Sequence, residues 1–209
     1  PRNRIAPDCG RNGAGKSTTL KAIIGLLRPQ SGAIRFRGAR IDGSASHAIA
    51  RLGIGYVPED RRIFAELTVA ENLDVARQKP RPGAPHWTPE TLFALFPNLA
   101  ELRRRPGGRM SGGEQQMLTI ARTLMGNPLV LLLDEPSEGL APKIVEAMAD
   151  TILRLKAEGL SVLLSEQNLH FAARVADRAA IIEKGRIRYA GAMTDLASDE
   201  AVQHAYLSA

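Results

Sequence analysis

Cysteine is almost missing from this chain: Cys9 stands alone among 209 residues. No internal disulfide can form, which fits a reducing compartment. Aromatic residues are scarce at 4%, so the core has to be built from aliphatic side chains. No apolar run approaches the roughly 18 residues that a membrane-crossing helix needs. There is no signal-peptide pattern and no initiator Met, and a chain opening on Pro1 is expected to be a fragment. Internal repeats and low-complexity tracts are lacking as well.

What is present is a chain with 44% apolar residues, enough for one or two compact domains. Its net charge of +6 is compatible with nucleic acid or an anionic membrane, or with a solvated basic surface on a nucleotide-binding protein. The basic clusters Arg61-Arg62 and Arg103-Arg104-Arg105 lack the interleaved aromatics of a single-strand binder. His47, His86, His170 and His204 are scattered and show no ligand spacing, and Asp8 and Cys9 have no partner for a metal site. Trp87, in a proline-rich stretch, is expected to serve local packing.

Hydrophobic periodicity predicts a helix over 16–27, with Leu20, Ile23, Ile24 and Leu27 on one face, ending at Arg28-Pro29. Strands are predicted at 33–37 and 54–57. From about 60 to 127 the pattern is helical and broken by prolines, with helices at 69–78, 89–95 and 113–126. Leu129-Val-Leu-Leu-Leu133 is a continuous apolar run, as in a parallel strand covered on both faces. Helix 142–157, strand 160–165, helix 168–176, strands 179–183 and 186–190, and short helices within 194–207 follow. The alternation predicts an α/β fold with a parallel sheet and an inserted helical subdomain.

Three motifs carry chemistry. Gly10-Arg-Asn-Gly-Ala-Gly-Lys-Ser-Thr18 has the spacing of a phosphate-binding loop. Its glycines let backbone N–H groups curl around phosphate oxygens, Lys16 supplies charge to the β- and γ-phosphates, and the Ser17 hydroxyl can ligate Mg²⁺. The helix opening at Lys16 points its positive end at the anion. Leu131-Leu-Leu-Asp-Glu-Pro136 ends an aliphatic strand in two acids, at the sheet edge where open α/β folds bind ligands. Asp134 is suited to hold Mg²⁺ through water and Glu135 to act as general base, the plain alternative being a capping pair before a helix. Met110-Ser-Gly-Gly-Glu-Gln-Gln116 opens a helix and is either a second anion site or a good N-cap.

In this order the three motifs resemble the nucleotide-binding subunits of ATP-binding-cassette (ABC) transporters, P-loop ATPases with a RecA-like core. Tyr56-Val-Pro-Glu-Asp-Arg-Arg-Ile-Phe64, Leu67-Thr-Val-Ala-Glu-Asn-Leu73, Leu95-Phe-Pro97, Ser137-Glu-Gly-Leu-Ala-Pro142, Glu166-Gln-Asn168 and Ala205-Tyr-Leu207 are similar to the second ATPase of branched-chain amino acid importers. The resemblance runs from Gly10 to Tyr206. It implies a core of residues 1–59 and 128–209 and a helical signature subdomain of residues 60–127. It implies ATP bound by Gly10, Asn12, Gly13, Ala14, Gly15, Lys16, Ser17, Thr18 and Glu59, with Mg²⁺ held by Ser17, Glu59 and Asp134. Glu135 and Gln167 would be catalytic. Ser111, Gly112, Gly113 and Glu114 would form a signature closing on the ATP of a partner. The implied partners are a second ABC ATPase subunit in a heterodimer, two membrane permease subunits and a periplasmic or extracellular substrate-binding protein, with no nucleic acid. The implied location is peripheral, on the cytoplasmic face of the inner (plasma) membrane. Glu59 and Gln167 stand where the wider superfamily usually has Gln and His.

The segment before Gly10 departs from the family. About thirty further residues, an adenine-stacking aromatic and the apolar strand that delivers the loop are implied there. Pro7-Asp8-Cys9 stands where that strand should end. Pro7 lacks an N–H and Asp8 is a poor strand former, so a central strand is not expected at 5–9 and the first strands count as missing. On that expectation nucleotide binding is impaired, and an inactive remnant or an interaction subunit is one alternative to the leading expectation, an ATP-hydrolysing importer subunit. The other alternative is a soluble ATPase of the same superfamily acting on the ribosome or nucleic acid. Such proteins usually carry two cassettes or long coiled-coil insertions, and neither is present.

Overall fold

The computed structural model describes residues 5–9 and 13–199. The chain begins with strand β1 (Ile5–Cys9), then helix α1 (Lys16–Ile23), the short strands β2 (Arg35–Phe36) and β3 (Ala39–Arg40), helix α2 (Ser46–Leu52) and strand β4 (Ile54–Val57). Four helices follow: α3 (Val69–Val75), α4 (Pro89–Leu95), α5 (Pro97–Glu101) and α6 (Gly112–Leu124). The chain then alternates through β5 (Val130–Asp134), α7 (Pro142–Ala157), β6 (Ser161–Glu166), α8 (Leu169–Val175), β7 (Arg178–Glu183), β8 (Arg186–Ala192) and α9 (Met193–Ser198).

Six strands form one sheet in the order β4-β5-β6-β1-β7-β8, parallel except for β8. β1 is therefore a central strand, which corrects the expectation that no central strand forms at 5–9. It pairs with β6 along its whole length, Ile5 opposite Val162 through Cys9 opposite Glu166, and with β7 only at Asp8 and Cys9. Pairing with β7 starts after Pro7. A parallel strand sends its N–H groups alternately to its two neighbours, so one proline removes one ladder bond rather than the strand.

Several boundaries move. The first helix stops at Ile23, not at residue 27, because Gly25 takes φ +77° and turns the chain. A side chain there would place its Cβ 2.8 Å from the Ser44 carbonyl oxygen. The strand expected at 33–37 shrinks to Arg35–Phe36, paired with β3 through a turn at Arg37 and Gly38, both at positive φ. α2 and α5 were not foreseen; each is under eight residues and too short to show a clear period. Of the tail, α9 is seen, and 200–207 lies outside the described residues.

The run at 129–133 behaves as its composition predicts. Leu131 and Leu133 enter the large core shared with α6, α7 and α8, while Leu132 enters the cluster of Leu20, Ile24, Ile49 and Ile54 on the other face. Both clusters are mainly aliphatic, as the aromatic scarcity requires. α3 to α6 are inserted between β4 and β5. Capping boxes start three of them: Thr68 with Glu71, Thr88 with Thr91, and Ser111 with Glu114.

Candidate functional site

Because β1, β5 and β6 run parallel, their carboxyl ends lie on one edge of the sheet. That edge receives the loop after β1, the acids after β5 and the turn after β6. Gly13, Ala14, Gly15, Lys16, Ser17, Thr18, Glu59 and Glu135 line a single cavity of about 310 Å³ there, joined by Glu138. Gly10 and Asn12 lie outside the described residues. The loop is tied to the rest of the sheet where the Gly185 N–H, in the β7–β8 turn, donates to the Ala14 carbonyl at 2.8 Å.

Lys16 is 3% exposed, and its Nζ lies 3.2 Å from Glu135 Oε1. Such a charge is tolerated in a dry site only beside an opposite charge or an anionic ligand. The other Glu135 oxygen, Oε2, accepts a hydrogen bond from Gln167 Nε2. The Glu135 backbone sits at φ +44°, uncommon for a residue with a side chain, and its N–H donates to the Ser165 carbonyl at 2.9 Å.

Asp134 is buried at the end of β5 between two hydroxyls. Ser17 Oγ donates to Oδ1 at 2.8 Å and the Tyr56 hydroxyl to Oδ2 at 2.9 Å. Burial, with the Asp134 charge second, pushes the Tyr56 phenol pKa up, so it stays a donor. Ser17 and Asp134 together offer hard oxygen ligands, the set Mg²⁺ prefers. Glu59, the third expected metal ligand, is exposed on the cavity wall and has no recorded bond to either.

Glu59 is placed by α6. Thr119 Oγ1 donates to the Arg61 carbonyl at 2.8 Å, and Arg122 Nη2 to the Arg62 carbonyl at 2.7 Å. Arg61 and Arg62 both hold positive φ, so the segment after β4 is sharply turned against this helix.

The Ser-Gly-Gly turn is elsewhere. Ser111 is exposed at the N-terminus of α6; its N–H donates to Glu114 Oε2 at 2.7 Å. Ser111, Gly112, Gly113 and Glu114 do not line the cavity of Lys16. Gly113 packs so tightly on α7 that an added Cβ would come within 2.9 Å of Ile144 Cγ2.

Four participants escaped sequence reasoning: Tyr56, Ser137, Glu138 and Glu166. Glu138, at the cavity mouth, has its pKa raised, first by a hydrogen bond with Glu135 and then by burial. Glu166 accepts a hydrogen bond from Ser137 Oγ, and burial pushes its carboxyl up to about 7. Tyr56, Ser137, Glu138 and Glu166 all sit inside stretches that carry the family resemblance, but nothing in their spacing assigned them a role.

A family model described as ABC transporter matches residues 8–138. The chain is 44% identical over 198 residues to the high-affinity branched-chain amino acid transport ATP-binding protein BraG of Pseudomonas aeruginosa, covering 95% of this chain and 85% of the relative. It is 38% identical over 200 residues to the probable branched-chain amino acid transport ATP-binding protein LivF of Archaeoglobus fulgidus, with the same two coverages of 95% and 85%. It is also 36% identical over 207 residues to the lipopolysaccharide export system ATP-binding protein LptB of Haemophilus influenzae, covering 98% and 86%. Among solved structures, the ADP conformation of an ATP-binding cassette of an ABC transporter is similar with a TM-score of 0.79 and 27% identity, covering 96% of this chain and 86% of that one.

Proposed function

The chain belongs to the ABC transporter family, and on that premise we propose that it is the ATP-hydrolysing subunit of an importer for branched-chain or related amino acids. ATP hydrolysis is the activity of the family's cassettes, and this chain is an ATP hydrolase. The observation that carries the reading is the convergence of Lys16, Ser17, Asp134 and Glu135 at one edge of the sheet. Since β1 fills the centre of that sheet, the expected loss of scaffold beneath the loop does not hold.

The geometry supports a division of labour. Backbone N–H groups of the loop through Thr18 and the N-terminus of α1 receive the phosphates. Lys16 holds the β- and γ-phosphates, and an arriving γ-phosphate competes with Glu135 for its charge. Glu135, once released, takes the proton of the attacking water as general base. Gln167 keeps that carboxylate aimed, and its amide can also donate to a phosphate oxygen. Ser17 and Asp134 fit Mg²⁺ as oxygen donors, with Glu59 facing the same cavity. Mg²⁺, when bound, neutralises charge developing on the β- and γ-oxygens.

The exposed Ser111 turn, remote from the cavity, supports a dimer in which Ser111, Gly112, Gly113 and Glu114 meet the ATP of a second ATPase subunit. We divide the chain accordingly into a nucleotide-binding core, 1–59 with 128–209, and a signature subdomain, 60–127. Among the described residues no helix is long and apolar enough to cross a membrane, and in this reading two permease subunits form the passage. An open groove between α1, α2 and α6 supports their docking, with Leu26 and Arg81 among its lining residues. The assembly then sits peripherally on the cytoplasmic face, and an external binding protein delivers substrate. Export of a lipid is the second reading, supported by the likeness to LptB.

The deciding experiment reconstitutes the complex and measures uptake of labelled leucine with ATP hydrolysis. Leucine-stimulated hydrolysis that vanishes in Lys16→Ala supports the import reading. Stimulation by lipopolysaccharide alone sinks it.

A further inference from the structure

Glu166 is 2% exposed and lies outside the cavity lined by Lys16 and Glu135. Along β6, Val162 and Leu164 enter the core shared with α7 and α8, whereas Leu163 packs on the opposite cluster with Leu20. The pleat puts Glu166 on the α7 and α8 face, away from α1. Its two oxygens have different partners. Oε1 accepts from Ser137 Oγ, in the connection between β5 and α7, and Oε2 accepts from the Gln167 N–H at 3.2 Å. The next group along is the Gln167 side chain, which donates to Glu135.

A buried carboxylate is costly where an apolar side chain would pack without penalty. Here it does something an apolar side chain cannot. It fastens the segment that follows Glu135, which carries Glu138 of the cavity wall, to the segment whose Gln167 side chain donates to Glu135. Gln167 is exposed and a long amide has many rotamers. Holding its backbone from behind narrows where the amide can point.

We propose that Glu166 is a positioning residue for hydrolysis: by joining Ser137 to the Gln167 backbone it keeps the Gln167 amide on Glu135. This rests on the reading of Glu135 as general base. Glu166 lies behind the cavity rather than in its lining and acts only through Gln167.

The test uses the assembled transporter and steady-state hydrolysis of Mg-ATP by Glu166→Ala, Glu166→Gln, Ser137→Ala, Gln167→Ala, the double variant Glu166→Ala with Gln167→Ala, and Glu135→Gln. Glu166→Ala lowers kcat by about tenfold, the scale of one hydrogen bond to a charged group, while KM stays within about twofold. Glu166→Gln retains an acceptor for Ser137 and lies between. In the Gln167→Ala background Glu166→Ala costs nothing further, which a general packing role would not produce. Wild-type kcat in Glu166→Ala overturns the proposal, and so does full additivity with Gln167→Ala. If Glu166→Ala does not assemble, Ser137→Ala decides, and an unchanged kcat there overturns it. Hydrolysis surviving in Glu135→Gln brings down the general-base reading and this inference together. An inactive Glu135→Gln beside a fully active Glu166→Ala brings down the inference alone.

Discussion

Ser17 Oγ donates to Asp134 Oδ1 at 2.8 Å, joining the start of α1 to the end of β5. Tyr56 orients the other Asp134 oxygen from β4. Three elements thus converge on one carboxylate. We expect Asp134→Ala to abolish the Mg²⁺-dependent part of ATP binding and leave metal-free binding intact. Tyr56→Phe, which removes only the orienting hydroxyl, weakens it by about tenfold. Calorimetric titration with ATP, with and without Mg²⁺, checks both.

Glu135 is both the partner of Lys16 and the proposed base. Glu135→Gln therefore separates two effects. Hydrolysis falls by about 10²–10⁴-fold as the base is lost. ATP affinity is kept or rises, because Lys16 no longer has a competing carboxylate. Phosphate release and equilibrium nucleotide binding on the same sample give the two numbers, and a parallel loss of affinity contradicts the assignment.

Burial raises the Glu166 carboxyl from 4.5 to about 7. Between those values the folded protein holds a proton that the unfolded chain has released. Stability therefore falls as pH rises through this window and levels off above it. The span is on the order of 3 kcal/mol at most. Glu166→Gln removes the slope, leaving stability flatter from about pH 5 to about pH 8. Urea unfolding across that range measures it.

Asn127, at positive φ and fully buried, accepts from the Trp87 N–H at 2.8 Å and donates to the Gln78 carbonyl at 3.0 Å. It fastens the proline-rich connection to the start of β5. Asn127→Ala leaves those backbone groups buried and unpaired, and costs on the order of 3 kcal/mol. Trp87 is the single tryptophan, so its emission during denaturant unfolding reads the loss directly.

Much of the fold is legible because its signals are local. Helices 89–95 and 142–157 match α4 and α7 at both ends, where Thr88-Pro89 and Pro142 mark the starts. The run at 129–133 foretells a strand covered on both faces. The phosphate loop and the two acids are legible because their chemistry demands fixed residue types at fixed spacing. β1 is not, because its support comes from β6 and β7, more distant in sequence than any window of propensity covers. The same holds for Tyr56, Ser137 and Glu166. A tyrosine hydroxyl meeting Asp134 across 78 residues, or a serine meeting a glutamate across 29, leaves no periodic trace.

The place of β1 in the sheet has a consequence for how the molecule is made. The strand that carries the phosphate loop leaves the ribosome well before both its neighbours, Ser161–Glu166 and Arg178–Glu183. Until they arrive its amides have only water to bond. Closing so long a loop is entropically slow, and the loop-bearing strand cannot dock before its partners exist. Catalytic competence is thus acquired only after residues 161–183 have emerged, and a nascent chain halted before residue 161 holds the loop without the site.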